Sequence, residues 1–419
     1  KDASIEERLA YKDILPEEVD MRKKSPYPKT YSPEYTNVFS FEYDANWLAF
    51  HKLNILDPNL EFYAGSQYLN VEKKQFGIFM DSSPDRWGRM LIARRNAIKN
   101  INKTLYESDY LLGLDDFSRM GALRFTLEEG GEFVSNEKEF SAPPIASLRD
   151  LEYASYQYEK DDVVDDKWVD ILFAPGSSLG GARPKANVID VDGSLWIAKF
   201  PSKHDYFDSG LWEYVVYKLA GMCGLKTVES KLLKFSDRGS TFLVKRFDRE
   251  HKKRIHYASA MTLLNKADGE SSECSYLDIL EFIKSYGGYI DNDSEELWKR
   301  IVFSILVHNT DDHLRNHGFL LKNMKWELSP LFDVNVNPDG NHLSLSLDGF
   351  DNSLDLSLAI DTSKFYGISE NEAKKTIDEM RNIIKNNWKK IALENGATTK
   401  SIHYFSKFFK KHVGVMPKN

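Results

Sequence analysis

The chain has 419 residues, 42% of them hydrophobic and 13% aromatic, enough for two or three domains with hydrophobic cores and too apolar for a disordered chain. A formal net charge of -8 excludes a charge-driven coat on nucleic acid, and the basic runs at 22–24, at 249–254 and in the last twenty residues read as solvated faces and turn tips. Two cysteines, Cys223 and Cys274, exclude a disulfide framework and a cysteine-built zinc site and fit a reducing cytoplasm; no apolar run approaches the roughly 18 residues of a membrane helix.

Residues 1–36 are charged, carry Pro26, Pro28 and Pro33, and read as an N-terminal arm. Residues 37–147 read as a mixed β/α subdomain. It opens on short alternating strands through Phe39, Phe41 and Tyr43, then Trp47, Leu48 and Phe50. The stretch Asp81-Ser-Ser-Pro-Asp85-Arg-Trp-Gly-Arg89 reads as a structural loop before a helix, with Asp81 or Ser82 as the cap and Pro84 in the first turn. Residues 110–125 predict a helical start, a turn and an apolar strand, and 128–147, with Gly130, Gly131, Pro143 and Pro144, a linker.

A second unit, 148–250, opens on a charged helix over 151–168 and the Gly-rich stretch 174–185. Strands are predicted at 186–191, 194–200, 230–235 and 241–247. One helix, 211–219, is inserted among them, with Trp212, Val215, Val216 and Leu219 on one face. Residues 251–419 are mostly helical. The last helix read there carries Ala373, Ile377, Met380, Ile384, Trp388 and Ile391 as a core stripe.

The chemistry concentrates in 301–333. An apolar run, 301–307, leads into a polar loop with Asp311, Asp312, His313 and Asn316, and two short apolar segments then lead to Asp333. Phosphoryl transfer needs a carboxylate at the acceptor hydroxyl and an Asn plus a second carboxylate on Mg²⁺. Protein kinases space the first pair Asp-x-x-x-x-Asn, as Asp311 and Asn316 are spaced, and Asp333 follows after a hairpin-sized interval. Gly176, Gly180 and Gly181 with Ser177 and Ser178 give a loop whose amides can approach phosphate oxygens, without the order of a P-loop. Behind it, Trp196-Ile-Ala-Lys199-Phe200 sets a lysine among apolar strand residues. Such a lysine either snorkels to solvent or finds an anion. In a kinase the anions are the ATP phosphates and a Glu of the following helix, here Glu213. Residues 241–249 read as either a kinase hinge or an edge strand with a charged turn. His308, His313 and His317 lack the companions of a zinc site; His308 reads as the end of the preceding helix and His313 as a hydrogen-bonding brace of the loop.

Four stretches together resemble the HipA family of serine/threonine kinases, the toxins of bacterial toxin–antitoxin pairs. They are the 81–89 stretch above, Ser177-Ser-Leu-Gly-Gly-Ala-Arg-Pro-Lys185, Asn309-Thr-Asp-Asp-His-Leu-Arg-Asn316 and Ser329-Pro-Leu-Phe-Asp333. Phe39-Ser-Phe-Glu-Tyr43 with Trp47, and Gly121-Ala-Leu-Arg-Phe125, resemble the family's N-terminal subdomain. The resemblance implies an α+β, bilobal protein-kinase-like fold: a mixed N-terminal subdomain, an N-lobe-like part and a mainly helical C-terminal lobe. It implies ATP and Mg²⁺ as cofactors, Asp311 as catalytic base, Asn316 and Asp333 on the metal, and Lys199 on ATP phosphate. His313, Phe332, Lys245 and Phe247 match positions near the nucleotide, the last two at the hinge, with Ser178, Gly180 and Gly181 in the loop over it.

In the family a serine of this loop is autophosphorylated, which ejects the loop and switches the kinase off. Ser178 aligns with that serine, and Ser177 beside it leaves two candidates. A phosphate there adds about -1.5 to -2 charges where the loop must hold those of ATP. The resemblance further implies a cytoplasmic enzyme that arrests growth by phosphorylating a protein, an aminoacyl-tRNA synthetase in the family. A small HipB-like antitoxin would neutralise it and be its only link to DNA. A small-molecule phosphotransferase and a catalytically weak binding module share this fold and remain as alternatives.

Overall fold

The structure is a computed structural model and describes residues 39–50, 55–69, 73–99, 104–134, 142–160, 166–176, 181, 183–251, 253–267 and 269–413. The 1–36 arm and, in the Gly-rich stretch, Ser177, Ser178 and Gly180 lie outside the described residues.

The N-terminal part holds less strand than its alternation predicts. β1 (Ser40–Phe41) pairs with β2 (Gln67–Tyr68) over two residues, and Trp47 and Leu48 lie on a helix, α1 (Ala45–Phe50). Asp44 starts that helix by accepting from the Asn46 and Trp47 N–H groups at 2.8 and 2.9 Å, so a local cap overrides the pattern. Three helices follow, α2 (Gly77–Asp81), α3 (Arg86–Ile98) and α4 (Glu107–Leu112). The residue before α3 is Asp85, so Pro84 lies outside the helix; Asp81, expected as a cap, accepts instead from Ser259 N at 2.7 Å and Ser259 Oγ at 2.8 Å. Residues 121–125 form no strand.

The helix expected over 151–168 is two, α5 (Leu148–Lys160) and α6 (Asp166–Gly176). Gly176 is therefore the buried end of a helix. A Cβ there would lie 2.9 Å from Leu91 Cδ1 and 3.0 Å from the Lys185 carbonyl oxygen, so this glycine serves close packing rather than a phosphate loop.

Next comes a four-stranded antiparallel sheet of β3 (Lys185–Ile189), β4 (Leu195–Lys199), β5 (Ser230–Ser236) and β6 (Gly239–Lys245), in the order β3-β4-β6-β5. Alternation along the strands serves two layers. Ala186, Val188, Trp196, Ala198 and Leu243 pack with Trp87, Leu91, Leu151 and Leu172 of α3, α5 and α6. Phe242 faces the other way, onto Tyr214 and Tyr217 of α7 (Ser209–Met222).

Two-residue strands, β7 (Arg249–Glu250) and β8 (Lys253–Arg254), lead to β9 (His256–Ser259) and α8 (Ala260–Leu263). The helical lobe is built on α9 (Tyr276–Tyr286) and α10 (Ile290–Val307). Within it β10 (Gly318–Lys322) and β11 (Lys325–Leu328) form a hairpin whose first strand pairs with β9. Three helices close the chain, α11 (Leu356–Thr362), α12 (Glu370–Glu394) and α13 (Thr399–Val413). The core stripe read from the sequence lies on α12, with Ala373, Ile377, Met380, Ile384 and Trp388 buried. α13 was not read there at all. Its Phe405 and Phe409 are buried, and Phe405 stacks on Trp212 of α7 with ring centroids 3.9 Å apart. One core cluster runs from Phe41 to Phe409, joining the N-terminal helices, α7 and the helical lobe. Among the described residues no helix is long and apolar enough to cross a membrane.

Candidate functional site

Lys199 ends β4, and its ammonium is held by carboxylates rather than turned out to solvent. Nζ lies 2.5 Å from Glu213 Oε1 on α7 and 2.7 Å from Asp333 Oδ1, with the lysine side chain 11% exposed. Burial alone would lower its pKa; the Asp333 and Glu213 carboxylates outweigh burial and hold it above the usual lysine value. Lys199, with Lys185 beside it, holds the Asp333 carboxyl well below the usual carboxylate range. Glu213 is pushed up by burial, which its pairing with Lys199 only partly offsets.

A second lysine belongs to this cluster. Lys185 sits opposite Lys199 in the β3–β4 register, and burial followed by the Lys199 charge pushes its pKa down to about 8. Lys185, Lys199, Glu213, Asp333 and Asn335 line one cleft, and Gly181 closes it from the Gly-rich side. The signal for Lys185 was present in the sequence: in a hairpin spanning these strands, 185 and 199 fall side by side once the turn is placed at 190–194.

Asp333 arrives at φ +53, a left-handed conformation that costs a non-glycine residue about 1 kcal/mol or more. The chain before it is fixed at three points. Ser329 N–H donates to the Gly318 carbonyl at 2.8 Å, the Ser329 carbonyl accepts from Arg300 Nη2 at 2.6 Å, and Leu331 N–H donates to the Lys226 carbonyl at 2.7 Å.

α10 ends at His308 (φ +59), as the sequence reading expects, and releases the polar loop. Asp312 is its buried brace, accepting from Tyr276 Oη at 2.8 Å and lying 3.1 Å from His317 Nε2. Burial would raise its pKa, but His317 and Tyr276 hold the carboxyl below its usual range. His317 thus joins His313 in bracing the loop: the His313 N–H donates to the Asp311 carbonyl at 3.0 Å and the His313 carbonyl accepts from the Asn316 N–H at 2.9 Å. With Asp312 turned inward, Asp311 is exposed. Although the residue as a whole is exposed, partial desolvation of its carboxyl raises the pKa, His313 lowers it and Asp333 raises it again, so these three groups act on one another electrostatically. Asn316 is buried and donates from Nδ2 to the Asp311 carbonyl at 2.8 Å, which leaves its Oδ1 as the side-chain atom able to accept or to ligate a metal.

Phe332, beside Asp333, meets Phe247 with ring centroids 5.6 Å apart, and both join a small apolar cluster with Ile255, Tyr257 and Leu320. Arg246 and Asp248 flank Phe247 and are tied inward: Arg246 Nη1 donates to Asn187 Oδ1 at 2.7 Å and Asp248 Oδ2 accepts from Gly121 N at 2.8 Å. The Lys245 ammonium points elsewhere, lying 3.8 Å from Asp192 and 3.6 Å from Glu229.

The HipA-like C-terminal domain family matches residues 177–388, half of the chain. This chain belongs to the HipA family. The resemblance drawn from the four motifs thus stands, and so does the kinase-like fold. In the toxin–antitoxin complex of HipA, HipB and operator DNA from Shewanella oneidensis MR-1, the matched chain aligns over 91% of its length and 90% of this one, with a TM-score of 0.63 at 14% identity. That identity shows a shared HipA fold and nothing finer. A Haemophilus influenzae protein provisionally named as a kinase is 29% identical over 186 residues, 39% of this HipA-family chain, which spans 54% of that protein's length.

Proposed function

We propose that this HipA-family chain is an ATP- and Mg²⁺-dependent serine/threonine protein kinase. The observation that carries the reading is Lys199 held between Glu213 and Asp333. A buried lysine between two carboxylates from separate segments is the arrangement that places a lysine on nucleotide phosphates and a carboxylate beside their metal.

The donor set fits magnesium. Asn316 and Asp333 offer oxygen atoms, and Mg²⁺ characteristically takes one or two protein oxygen donors with phosphates and water completing its shell. Among the described residues no group of three or more His, Cys, Asp or Glu could hold a metal by itself, which agrees with a site the nucleotide completes. Bound there, Mg²⁺ would neutralise charge on the phosphates. Lys199 and Lys185 would hold the phosphate oxygens, and Phe247 and Phe332 would flank the base; the Lys245 and Arg246 N–H groups donate to the Glu229 and Leu195 carbonyls, so a hinge contact would fall to the other backbone groups of 245–247. Asp311 would orient the acceptor hydroxyl and take its proton as the new O–P bond forms and the bond to the ADP leaving group breaks. His313 would keep Asp311 ionised.

Ser178 and Ser177, beside Gly180 and Gly181, are the residues we propose as autophosphorylation sites. A protein is the proposed acceptor, an aminoacyl-tRNA synthetase by family resemblance, in the cytoplasm. A HipB-like antitoxin is the proposed partner, supported by the Shewanella complex, with DNA reached through it.

Incubation with γ-labelled ATP tests the reading. Label on protein that is lost in Asp311→Ala and needs no small acceptor supports it. Label leaving only on a metabolite makes the chain a small-molecule phosphotransferase, and nucleotide binding without transfer makes it a binding module. Mass spectrometry of the 174–185 peptide shows whether Ser177, Ser178 or both carry phosphate.

A further inference from the structure

Asp85 stands where a carboxylate commonly caps its own helix. It precedes α3 with extended backbone (φ -81, ψ -166), and Asp is among the favoured residues there. Its carboxylate makes no capping hydrogen bond. Oδ2 accepts instead from the Gly181 N–H at 2.8 Å, and Oδ1 accepts from Arg315 Nη1 at 2.5 Å. Two residues on, the Trp87 N–H donates to the Gly181 carbonyl at 3.0 Å. Residues 85–87 therefore hold both polar backbone groups of Gly181.

The two segments joined here lie far apart in the chain, and Gly181 lines the cleft of Lys185, Lys199 and Asp333. Gly181 follows 177–180 in the sequence and sits at φ +79, a left-handed conformation that favours glycine, with the position of a Cβ 2.7 Å from Lys185 Nζ. Arg315 lies between Asp311 and Asn316 and directly precedes the latter. The two segments share no β-ladder, and the Asp85 carboxylate is a direct hydrogen-bonded bridge between them. A helix cap would stabilise α3 alone. This carboxylate, supplied by the N-terminal part, ties the end of the Gly-rich stretch to the loop that carries the base.

We propose that Asp85 is a positioning residue that fixes Gly181, and with it the start of the strand that carries Lys185, relative to the loop of Asp311 and Asn316. Its catalytic consequence rests on the kinase reading; the bridge itself does not.

Two measurements on the full chain test it, amide hydrogen exchange and steady-state phosphoryl transfer, on Asp85→Ala and Asp85→Asn. In Asp85→Ala, exchange at 181–186 and at 309–317 rises together by about tenfold or more, while the remote α9 does not change. Asp85→Asn keeps an acceptor for the Gly181 amide and loses the charge that holds Arg315, so it loosens 309–317 more than 181–186. Turnover in Asp85→Ala falls about 100-fold, the loss expected of groups misplaced by about an ångström. The KM for ATP stays within about threefold, because the phosphate-binding lysines are intact. Asp85→Glu recovers part of the turnover. Unchanged exchange in both segments, loosening of only one in Asp85→Ala, or a raised KM with turnover retained overturns the proposal. If the unaltered chain transfers no phosphate, the kinase reading fails and exchange alone decides the bridge. If Asp85→Ala does not fold, the milder Asp85→Asn decides by whether 309–317 loosens.

Discussion

Lys199 and Asp333, 134 residues apart in the chain, meet at 2.7 Å between Nζ and Oδ1. One residue ends a strand of the four-stranded sheet and the other follows a hairpin of the helical lobe, so their contact joins the two lobes across the cleft. Glu213 completes the cluster from a third element, α7. The three groups do not contribute equally to stability. Asp333 is 48% exposed at its side chain and Glu213 only 6%, so water screens the first carboxylate and hardly reaches the second.

Lys199→Met should therefore destabilise the fold mainly through Glu213, left buried without its cation. Breaking a buried pair from one side costs about 3–5 kcal/mol, and relief by protonation of Glu213 brings the expectation to about 2–4 kcal/mol. Adding Glu213→Gln to Lys199→Met should recover more of that loss than adding Asp333→Asn. Urea denaturation of the two singly and doubly substituted series checks the order. Equal recovery from both would mean that Asp333 is as desolvated as Glu213. Phosphoryl transfer should fall by about a hundredfold or more in every variant lacking Lys199.

Asp311 should be separable from nucleotide binding. Asp311→Asn should lower turnover by about 10²–10⁴ while leaving nucleotide affinity within about threefold, since it removes a proton acceptor and no phosphate contact. The pH–rate profile carries a second expectation. Burial raises the Asp311 pKa and His313 lowers it. Activity requires the ionised form, so the acid limb should lie above the usual aspartate value of about 3.9. His313→Ala removes the opposing charge and should move that limb to higher pH. A limb that stays put or moves down in His313→Ala argues against Asp311 as the titrating base.

The sequence was informative where one side chain's environment follows from its neighbours in the chain. The 301–307 run is apolar at all but one position and forms the buried end of α10, which releases the loop that carries Asp311. The strands that carry Lys199 and the helix that carries Glu213 were legible from alternation and from a four-residue apolar face. What failed was punctuation. Gly176 read as a phosphate-loop glycine because Pro175-Gly176 looks like a turn, yet α6 runs through both under the packing of Leu91 and Trp87. α13 escaped because Lys407, Lys410 and Lys411 mask its phenylalanines in any composition window; only the surface offered by Trp212 and Trp388 explains why Phe405 and Phe409 are buried. Asp85 read as a loop residue because both of its partners, Gly181 and Arg315, are distant in sequence.

Lys185 gives a prediction in the opposite pH range. Burial and the Lys199 charge push its pKa down to about 8, below the usual lysine value of about 10.4. Its unfolded form therefore holds the proton more tightly, and this residue makes stability rise with pH across that window. Phosphate binding has the reverse dependence, because it favours the charged amine. Affinity for ATP should weaken above about pH 8, approaching tenfold per pH unit until the bound-state pKa is reached, with a proton taken up on binding. Lys185→Arg keeps its charge throughout and should flatten this limb. Calorimetric titration in buffers of different ionisation enthalpy measures the proton uptake directly; none at pH 9 would mean that Lys185 does not face the phosphates.

The C-terminal helix should matter to the site although no residue of it touches the cleft. Phe405 is fully buried, stacks on Trp212 at 3.9 Å and meets Phe207 edge-on at 4.8 Å. Trp212 directly precedes Glu213 on α7, so the packing that fixes the tryptophan fixes the helix turn presenting the carboxylate to Lys199. Phe405→Ala removes a ring from a site formed by two helices and a connecting loop, and core Phe→Ala changes cost about 3–5 kcal/mol. If α13 only stabilised the fold, transfer per folded molecule would be unchanged once the unfolded fraction is subtracted. If it positions α7, turnover per folded molecule should fall as well, and Phe405→Leu, which refills most of the volume, should restore stability more fully than turnover. Stability from denaturant unfolding and turnover from γ-labelled ATP, both well below the transition temperature of each variant, decide between these outcomes. The geometry favours the second, because Glu213 has its place on α7 next to the one side chain of that helix on which Phe405 stacks.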